Sequence, residues 1–265
     1  MASILSEFGK KTRQEDPVVH FYEDFLAAYD PHLREKRGVY YTPEPVVSYI
    51  VQSVDHLLRD RFGLADGLAD TATVASENGG SSRPRVTILD PAAGTGTFLR
   101  EVVATIRETI EAKGLGGAWP GYVHKHLLPR LFGFELLMAP YSICHLKLAL
   151  EIGGTDRGFA MPAGERLNVF LTNALEGPDE GHSSPLFAPE IVREAASAYA
   201  VKQEKPVMDV MGNPPYSGHS ANKSAWIAEL IGSYKQGFAE LERPAQAKWL
   251  SDDYVKFIRF AQWRI

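Results

Sequence analysis

Four short apolar runs, separated by helix-like stretches, constrain this 265-residue chain more than any other feature. The runs are VTILD (86–90), LFGFE (131–135), NVFLTNAL (168–175) and VMDVMGNPPY (207–216). Between them, apolar residues recur at helical spacing. Strands that alternate with helices form parallel sheets through right-handed crossovers. We therefore expect an α/β fold with an open, doubly wound, mostly parallel sheet.

The remaining stretches divide into one further helix and two predicted loops. EPVVSYIVQSVDHLLRDRFG (44–63) has helical spacing, with Gly63 at its end. LADGLADTATVASENGGSSRPR (64–85) is small and polar and predicts a surface loop, and GLGGAWPG (114–121) predicts a second loop.

Each predicted strand ends in a polar residue, and these residues are Asp90, Glu135, Asn173 and Asn213. In open α/β sheets, ligands bind beyond the carboxyl ends of the strands. The four side chains are therefore expected to share one site.

A glycine-rich turn follows the first strand in ILDPAAGTGTFL (88–99). Gly94 and Gly96 allow a tight turn and a close approach to a ligand, and a helix N-terminus follows them. A simple strand-to-helix turn remains an alternative. A nicotinamide dinucleotide site is disfavoured, because its third glycine is replaced by Leu99.

The next two strand ends suit a nucleoside. An acid at the position of Glu135 commonly holds ribose hydroxyls. Asn173 suits the edge of an adenine ring, and it suits a turn cap equally well.

The fourth strand ends in GNPPYSG (212–218), which is also strong turn chemistry. Asn213 offers a side-chain carbonyl. The backbone carbonyl of Pro214 cannot join a ladder to Pro215, which has no N–H. Two rigid acceptors can therefore face one planar amino group, and Tyr216 offers a ring face for stacking.

Together, NPPY, DPAAGTGTFL and the acidic strand end resemble an S-adenosylmethionine-dependent amino-methyltransferase. RGVYYTPEPVVSYIV (37–51) resembles the N-terminal motif of the gamma class of DNA adenine-N6 methyltransferases. Thr42 also suits a cap for the helix that follows, and Pro43 suits its first turn. HFYEDFLAAYDPHLREKRGVYYTPEPVV (20–47) and LTNALE (171–176) resemble the methyltransferase part of type ISP restriction–modification enzymes.

The resemblance implies a Rossmann-like methyltransferase fold with S-adenosylmethionine as cofactor. Thr42 is expected near its carboxylate, Asp90 at its methionine portion, Glu135 at its ribose and Asn173 at its adenine. The implied cofactor-binding set is Tyr41, Thr42, Pro43, Asp90, Pro91, Ala92, Gly94, Gly96, Thr97, Phe98, Glu135, Leu136, Asn173 and Asn213.

The implied catalytic set is Asn213, Pro214, Pro215 and Tyr216. The target is an adenine flipped out of double-stranded DNA, whose amino group donates to Asn213 and Pro214 while its ring stacks on Tyr216. Direct methyl transfer by positioning and electrostatics needs neither a covalent intermediate nor a metal. Cys144 lies within a predicted helix, so it is expected in the core rather than as a nucleophile.

The resemblance also suggests the domain organisation. Residues 1–36, with a helix over 16–30, form an N-terminal segment, and residues 37–265 form the catalytic domain. The gamma plan continues with more strands and a target-recognition domain, so the sheet is expected to be incomplete on its C-terminal side. A net charge of -5 fits the absence of a DNA-gripping part.

Two other functions remain open. One is a cofactor-binding fragment without autonomous activity, and the other is a glutamine-N5 or rRNA amino-methyltransferase. The sequence has one cysteine, no secretory signal and no apolar run long enough for a membrane span, so a cytoplasmic location is expected.

Overall fold

The computed structural model describes residues 42–75, 82–153, 161, 164–177, 189–216, 220–243 and 248–265. The helix expected over 16–30, the boundary after residue 36 and Tyr41 lie outside the described residues.

Within these ranges the regular elements follow the expected alternation. The helices are α1 (Glu44–Asp60), α2 (Thr97–Ala112), α3 (Trp119–Tyr122), α4 (Met138–Gly153), α5 (Pro189–Gln203), α6 (Ala225–Gly232) and α7 (Asp253–Arg264). The strands are β1 (Thr73–Val74), β2 (Arg83–Pro84), β3 (Ile88–Asp90), β4 (Leu131–Glu135), β5 (Asn168–Leu171) and β6 (Asp209–Val210).

Four of these strands form one parallel sheet in the order β5-β4-β3-β6. The chain moves outward from β3 to β4 and β5 and then returns to the other side of β3. The strand order therefore reverses between β3 and β6, which is where open α/β sheets form ligand crevices. The predicted α/β architecture with a parallel sheet is confirmed.

Helices cover both faces of the sheet. The side chains of each strand alternate between two buried clusters, one on each face. Ile88 faces a cluster formed with α1, α2 and α4, whereas Leu89 faces one formed with α5, α6 and α7. Leu131 and Phe132 divide between the same two clusters. A parallel sheet buried on both faces requires such continuous apolar strands.

The β5 edge of the sheet is covered by side chains. The Arg166 guanidinium donates to the Val169 carbonyl at 2.8 Å, and the Leu171 N–H donates to the Glu194 carboxylate at 3.1 Å. Arg166 and Glu194 also form an ion pair with each other. These contacts satisfy edge groups that would otherwise be available to pair with another chain.

The prediction of a surface loop over 64–85 is wrong for its first part. Leu64 and Leu68 are buried in the core, and the Leu68 N–H donates to the Asp55 carboxylate at 2.7 Å. Strands β1 and β2 then pair as a short antiparallel ladder. The segment is polar overall, so its two isolated leucines did not indicate burial, yet they pack in the core with residues of α1 and α2.

The prediction of a loop over 114–121 is also wrong, because helical turns occupy most of residues 116–130. Trp119 is buried, and its indole N–H donates to the Ile152 carbonyl at 2.9 Å. The Arg107 guanidinium lies 4.8 Å from the centre of its ring. One large apolar side chain therefore anchors a segment whose glycines and proline favoured a loop.

The two glycines that join β3 to α2 lead to a stability prediction. Both have positive φ, +55° at Gly94 and +80° at Gly96. An added Cβ at Gly94 meets nothing within 4 Å, whereas at Gly96 it would lie 2.5 Å from the Cys144 Sγ. Gly94→Ala is expected to lower the free energy of unfolding by about 1–2 kcal/mol through backbone strain. Gly96→Ala should cost roughly 1–3 kcal/mol more through overpacking, measured by urea unfolding. Equal losses in the two variants would contradict this packing role.

Candidate active site

The motif after β6 is held by the residue that precedes α1. The Asn213 Nδ2 donates to the Thr42 Oγ1 at 2.9 Å, across 171 residues of sequence. The Tyr216 hydroxyl donates to the Asn213 Oδ1, also at 2.9 Å. Both ends of the Asn213 amide are therefore oriented by neighbours within the predicted site.

The prediction that Thr42 caps α1 is wrong. Pro43 occupies the N-cap position without a side-chain hydrogen bond, and Pro45 rather than Pro43 lies in the first turn. Thr42 stands one residue too early to cap, and its hydroxyl instead accepts from Asn213. The Thr-Pro pair thus connects α1 to the NPPY motif.

An exposed aromatic pair lies beside this motif. The rings of Tyr216 and Tyr254 stack with centroids 5.1 Å apart and an interplanar angle of 24°. Both rings are exposed, at 52% and 40% of their surfaces. A planar ligand therefore has aromatic surface available next to Asn213.

The ends of β3 and β6 meet at Asp90 and Gly212. A Cβ at Gly212 would lie 2.4 Å from the Asp90 Oδ1, so the backbone after β6 passes directly against this carboxyl group. The Ala92 N–H donates to the same oxygen at 3.0 Å. A side chain at position 212 would therefore force the Asp90 carboxyl group or the backbone after β6 to shift.

Asp90 is almost fully buried, at 1% exposure. Burial raises the pKa of its carboxyl group from 3.8 to about 7; the Ala92 N–H opposes this increase and the nearby Glu135 charge adds to it. A buried acid with a pKa near neutrality at a strand end is typical of functional sites.

The glycine turn and Glu135 contact each other directly. The Gly94 N–H donates to the Glu135 Oε2 at 2.8 Å, and the Leu137 N–H donates to its Oε1 at 2.7 Å. Each carboxylate oxygen can accept further hydrogen bonds. Gly94 leaves open space where a side chain would lie. The predicted cradle and the predicted ribose-binding acid are therefore adjacent.

Asn173 lies beyond the end of β5 and joins a different set of polar residues. Its Oδ1 accepts from the Leu175 N–H at 3.0 Å, and its Nδ2 donates to the Asn222 Oδ1 at 2.8 Å. The buried Lys202 Nζ donates to its backbone carbonyl at 2.6 Å. Desolvation lowers the pKa of Lys202 from 10.5 to about 8, and the charge of Glu176 partly offsets this decrease.

The other predicted site residues surround these groups at different depths. Phe98 is only 4% exposed and packs in the core below the glycine turn, whereas Leu136 is 45% exposed beside Glu135. Those that are buried or partly exposed along the same edge are Pro91, Ala92, Gly96, Thr97, Pro214 and Pro215.

Sequence reasoning missed the contribution of α7 and the segment before α6. Tyr254, Asp253 and Asn222 all contact predicted site residues or their partners. The only available signal was an acidic pair followed by a tyrosine, Asp252 to Tyr254, at a helix start. Such a pattern is also ordinary N-capping chemistry, and the Asp252 side chain does accept from the Tyr254 N–H.

Cys144 is buried in the core as expected, and burial raises the pKa of its thiol beyond the physiological range. In the described part of the chain, no group of three or more His, Cys, Asp or Glu side chains is arranged to hold a metal ion. Within the same ranges, no helix combines the length and apolar character of a membrane span.

The buried Asp90 carboxyl group predicts a pH dependence of stability. In the unfolded chain the Asp90 carboxyl group has its ordinary pKa of 3.8, whereas in the folded protein its pKa is about 7. The folded state therefore binds more protons in this window, and its stability falls as pH rises through it. Asn cannot ionise at this position. Between about pH 4 and pH 7, the free energy of unfolding of Asp90→Asn should therefore rise relative to that of the wild type by a few kcal/mol, as an order of magnitude. Unfolding would be measured across this range.

The exposed Asp60→Asn serves as the matched control, and its stability should follow the wild type at every pH. A constant difference between Asp90→Asn and the wild type would rule out the buried-acid assignment.

Three solved structures share this fold. The ATP-dependent type ISP restriction–modification enzyme LlaBIII bound to DNA is 24% identical to this chain, with a TM-score of 0.67. The match covers 94% of this chain and 15% of the LlaBIII chain. For the DrdV–DNA complex, the match covers 93% of this chain and 21% of the DrdV chain, with 26% identity and a TM-score of 0.65. A nuclease-deletion mutant of the type ISP enzyme LlaGI, in complex with a DNA substrate mimic, matches 100% and 22%, with 22% identity and a TM-score of 0.62.

The chain thus spans between 15% and 22% of the length of these structures. A comparison with curated protein sequences gives no significant match. The family model of N-6 DNA methylases matches residues 13–250. Because that match covers most of the sequence, the chain belongs to the N-6 DNA methylase family.

Proposed function

We propose that this chain is the catalytic region of an S-adenosylmethionine-dependent methyltransferase that modifies N6 of adenine in DNA, in the gamma arrangement of restriction–modification enzymes. The observation that carries the proposal is the Thr42–Asn213–Tyr216 arrangement beside Asp90, at the point where the strand order reverses. Family membership supports the same reaction class.

The residues along the sheet edge fit the proposed cofactor. Gly94 leaves open space beside its backbone, and the adjacent Glu135 carboxylate is the kind of group that accepts hydrogen bonds from ribose hydroxyls. Asp90 would stabilise a positive charge, because a nearby cation favours the ionised form of a buried acid. Asn173 would meet the adenine ring. When bound, S-adenosylmethionine supplies an electrophilic methyl group on a sulfonium sulfur.

The NPPY motif would bind and orient the amino group that is methylated. The lone pair of an amine on a purine is delocalised into the ring, which makes the nitrogen a poor nucleophile. The Asn213 side-chain oxygen and the Pro214 carbonyl would each accept a hydrogen bond from one N–H of this amine and localise the lone pair toward the methyl donor. Tyr216 would stack on the ring and hold the nitrogen in position.

We further propose that the adenine is flipped out of double-stranded DNA and that most DNA affinity comes from basic surface outside this chain. A base within the duplex cannot reach a motif at the sheet edge, so it must leave the stack. The net charge of -5 gives the chain little general attraction for phosphates.

A single-turnover methylation assay tests the proposal. The wild-type chain, in excess over unmethylated DNA at low salt, is given tritiated S-adenosylmethionine, and the hydrolysed DNA is separated by chromatography. Low salt and excess protein compensate for weak DNA binding. We expect label in N6-methyladenine. Parallel reactions receive rRNA or a protein substrate in place of DNA. Label in a glutamine of the protein or in rRNA, with none in DNA, would instead support the alternative amino-methyltransferases.

Asn213→Ala and Tyr216→Ala are expected to lower the methylation rate about 100-fold or more, by removing an acceptor and a stacking face that act in the transition state. Binding of S-adenosylhomocysteine, measured by calorimetry, should change by less than about threefold, because both side chains act on the target base. Phe62→Ala is a matched control, since this exposed aromatic residue contacts Arg85 before the amino end of β3, away from the strand ends that form the site. Parallel loss of cofactor affinity in both site variants would contradict their roles.

Thr42→Val should lower the methylation rate about tenfold, because it leaves the Asn213 Nδ2 without its acceptor while keeping the side-chain volume. Thr42→Ser retains the hydroxyl and should restore most of the rate in the same assay. A rate in Thr42→Ser as low as in Thr42→Val would show that the hydroxyl does not orient Asn213.

A further inference from the structure

We infer that a hydrogen-bond relay from Asp253 through Asn222 to Asn173 fixes the orientation of the Asn173 amide, so that Asn173 presents its oxygen to the amino group of the cofactor's adenine. The inference rests on the proposed function, because it concerns recognition of that base. It assigns positioning roles to Asn222 and Asp253.

The Asn173 amide can adopt two orientations, and only one of them presents its oxygen to a ligand. A carboxylate here would present only acceptors, whereas an asparagine amide has an acceptor end and a donor end of similar size. A rotation of half a turn would exchange the two ends and reverse the recognition of a purine edge. The Asn173 amide presents a defined end to a ligand only where its neighbours fix its orientation.

The relay begins at the buried Asp253, in the first turn of α7. Its Oδ1 accepts from the Asn222 Nδ2 at 2.9 Å and from the Ser220 hydroxyl. The Lys256 Nζ, which can only donate, donates to the Ser220 Oγ at 2.6 Å. The Asn222 backbone carbonyl, at 3.3 Å, is a more distant acceptor for the Ser220 hydroxyl than Asp253, which accepts from both neighbours.

The Asn222 amide is oriented by Asp253 and in turn orients the Asn173 amide. Because its NH2 group faces Asp253, its oxygen faces Asn173 and accepts from the Asn173 Nδ2 at 2.8 Å. An inverted Asn222 would bring its oxygen against the Asp253 carboxylate, where two acceptors would oppose each other.

Two local contacts agree with the relay. The Leu175 N–H donates to the Asn173 Oδ1 at 3.0 Å, and the Asn173 Nδ2 donates to the Glu176 carboxylate at 3.2 Å. An amide oxygen accepts two hydrogen bonds, so the Asn173 Oδ1 retains one site for a ligand. Asn173 is only half-buried, so part of its surface is exposed beyond the end of β5.

The consequence is selectivity for a purine with an amino group at C6. An acceptor oriented in this way binds a 6-amino group and opposes a 6-oxo group, whose oxygen would face another oxygen. The relay therefore predicts discrimination between S-adenosylhomocysteine and S-inosylhomocysteine, which differ in the group at C6 and in the proton that the 6-oxo base carries on N1.

Calorimetric titration of the full chain with these two compounds tests the inference without DNA or catalysis. The wild type should bind the 6-amino compound about tenfold or more tightly. In Asn222→Ala the Asn173 amide keeps only its contacts with Leu175 and Glu176, and the ratio should fall below about threefold. Lys223→Ala, at the exposed neighbouring position, should keep the wild-type ratio.

A reversal of polarity gives a second test that a merely structural role would not pass. Asn173→Asp places a carboxylate opposite the Asn222 oxygen and should weaken S-adenosylhomocysteine binding about tenfold. Adding Asp253→Asn permits Asn222 to turn, so that its NH2 group faces residue 173. The double variant should recover to within about threefold of the wild type, while thermal unfolding confirms that each variant is folded.

The outcomes separate the relay from the proposed function. Equal binding of the two compounds by the wild type, an unchanged ratio in Asn222→Ala, or additive losses in the double variant would overturn the relay alone. If the wild type binds neither compound, both the relay and the proposed function are overturned.

Discussion

The close approach of Gly212 to the Asp90 carboxyl group determines how the two halves of the candidate site meet. The ends of β3 and β6 are neighbours in the sheet, and the missing side chain at 212 allows the backbone to pass against Asp90. The glycine turn therefore lies on one side of this contact and the NPPY motif on the other. With a larger residue at 212, either the Asp90 carboxyl group or the motif that carries the proposed amino-group acceptors would have to move.

Helices far apart in sequence then orient the groups on each side. Thr42, before α1, holds the Asn213 amide, and Tyr254, in α7, stacks on Tyr216. The same turn of α7 contributes Asp253 to the polar set that reaches Asn173. A change at the start of α7 would thus affect both the proposed cofactor side and the proposed target side.

Much of the fold was predictable because β-branched and aromatic runs in a parallel sheet are continuous and apolar. The bounds of β4 match its predicted run, whereas β6 pairs over only Asp209–Val210 of its predicted ten residues. The motif after β6 forms no regular element, and its prolines lack the N–H groups of a ladder. Leu64 and Trp119 escaped prediction because isolated apolar residues in polar segments carry no periodic signal.

The sequence alone determined the alternation of strands and helices, the positive-φ turn at Gly94 and Gly96, and the residue types at the four strand ends. These properties depend on local backbone sterics and on short-range patterning, which neighbouring residues specify. Only the tertiary structure decided that Thr42 orients Asn213 instead of capping α1, that burial raises the pKa of Asp90 to about 7, and that Asn222 faces Asn173. Such contacts join residues from distant segments, and their geometry exists only after the helices have packed on the sheet.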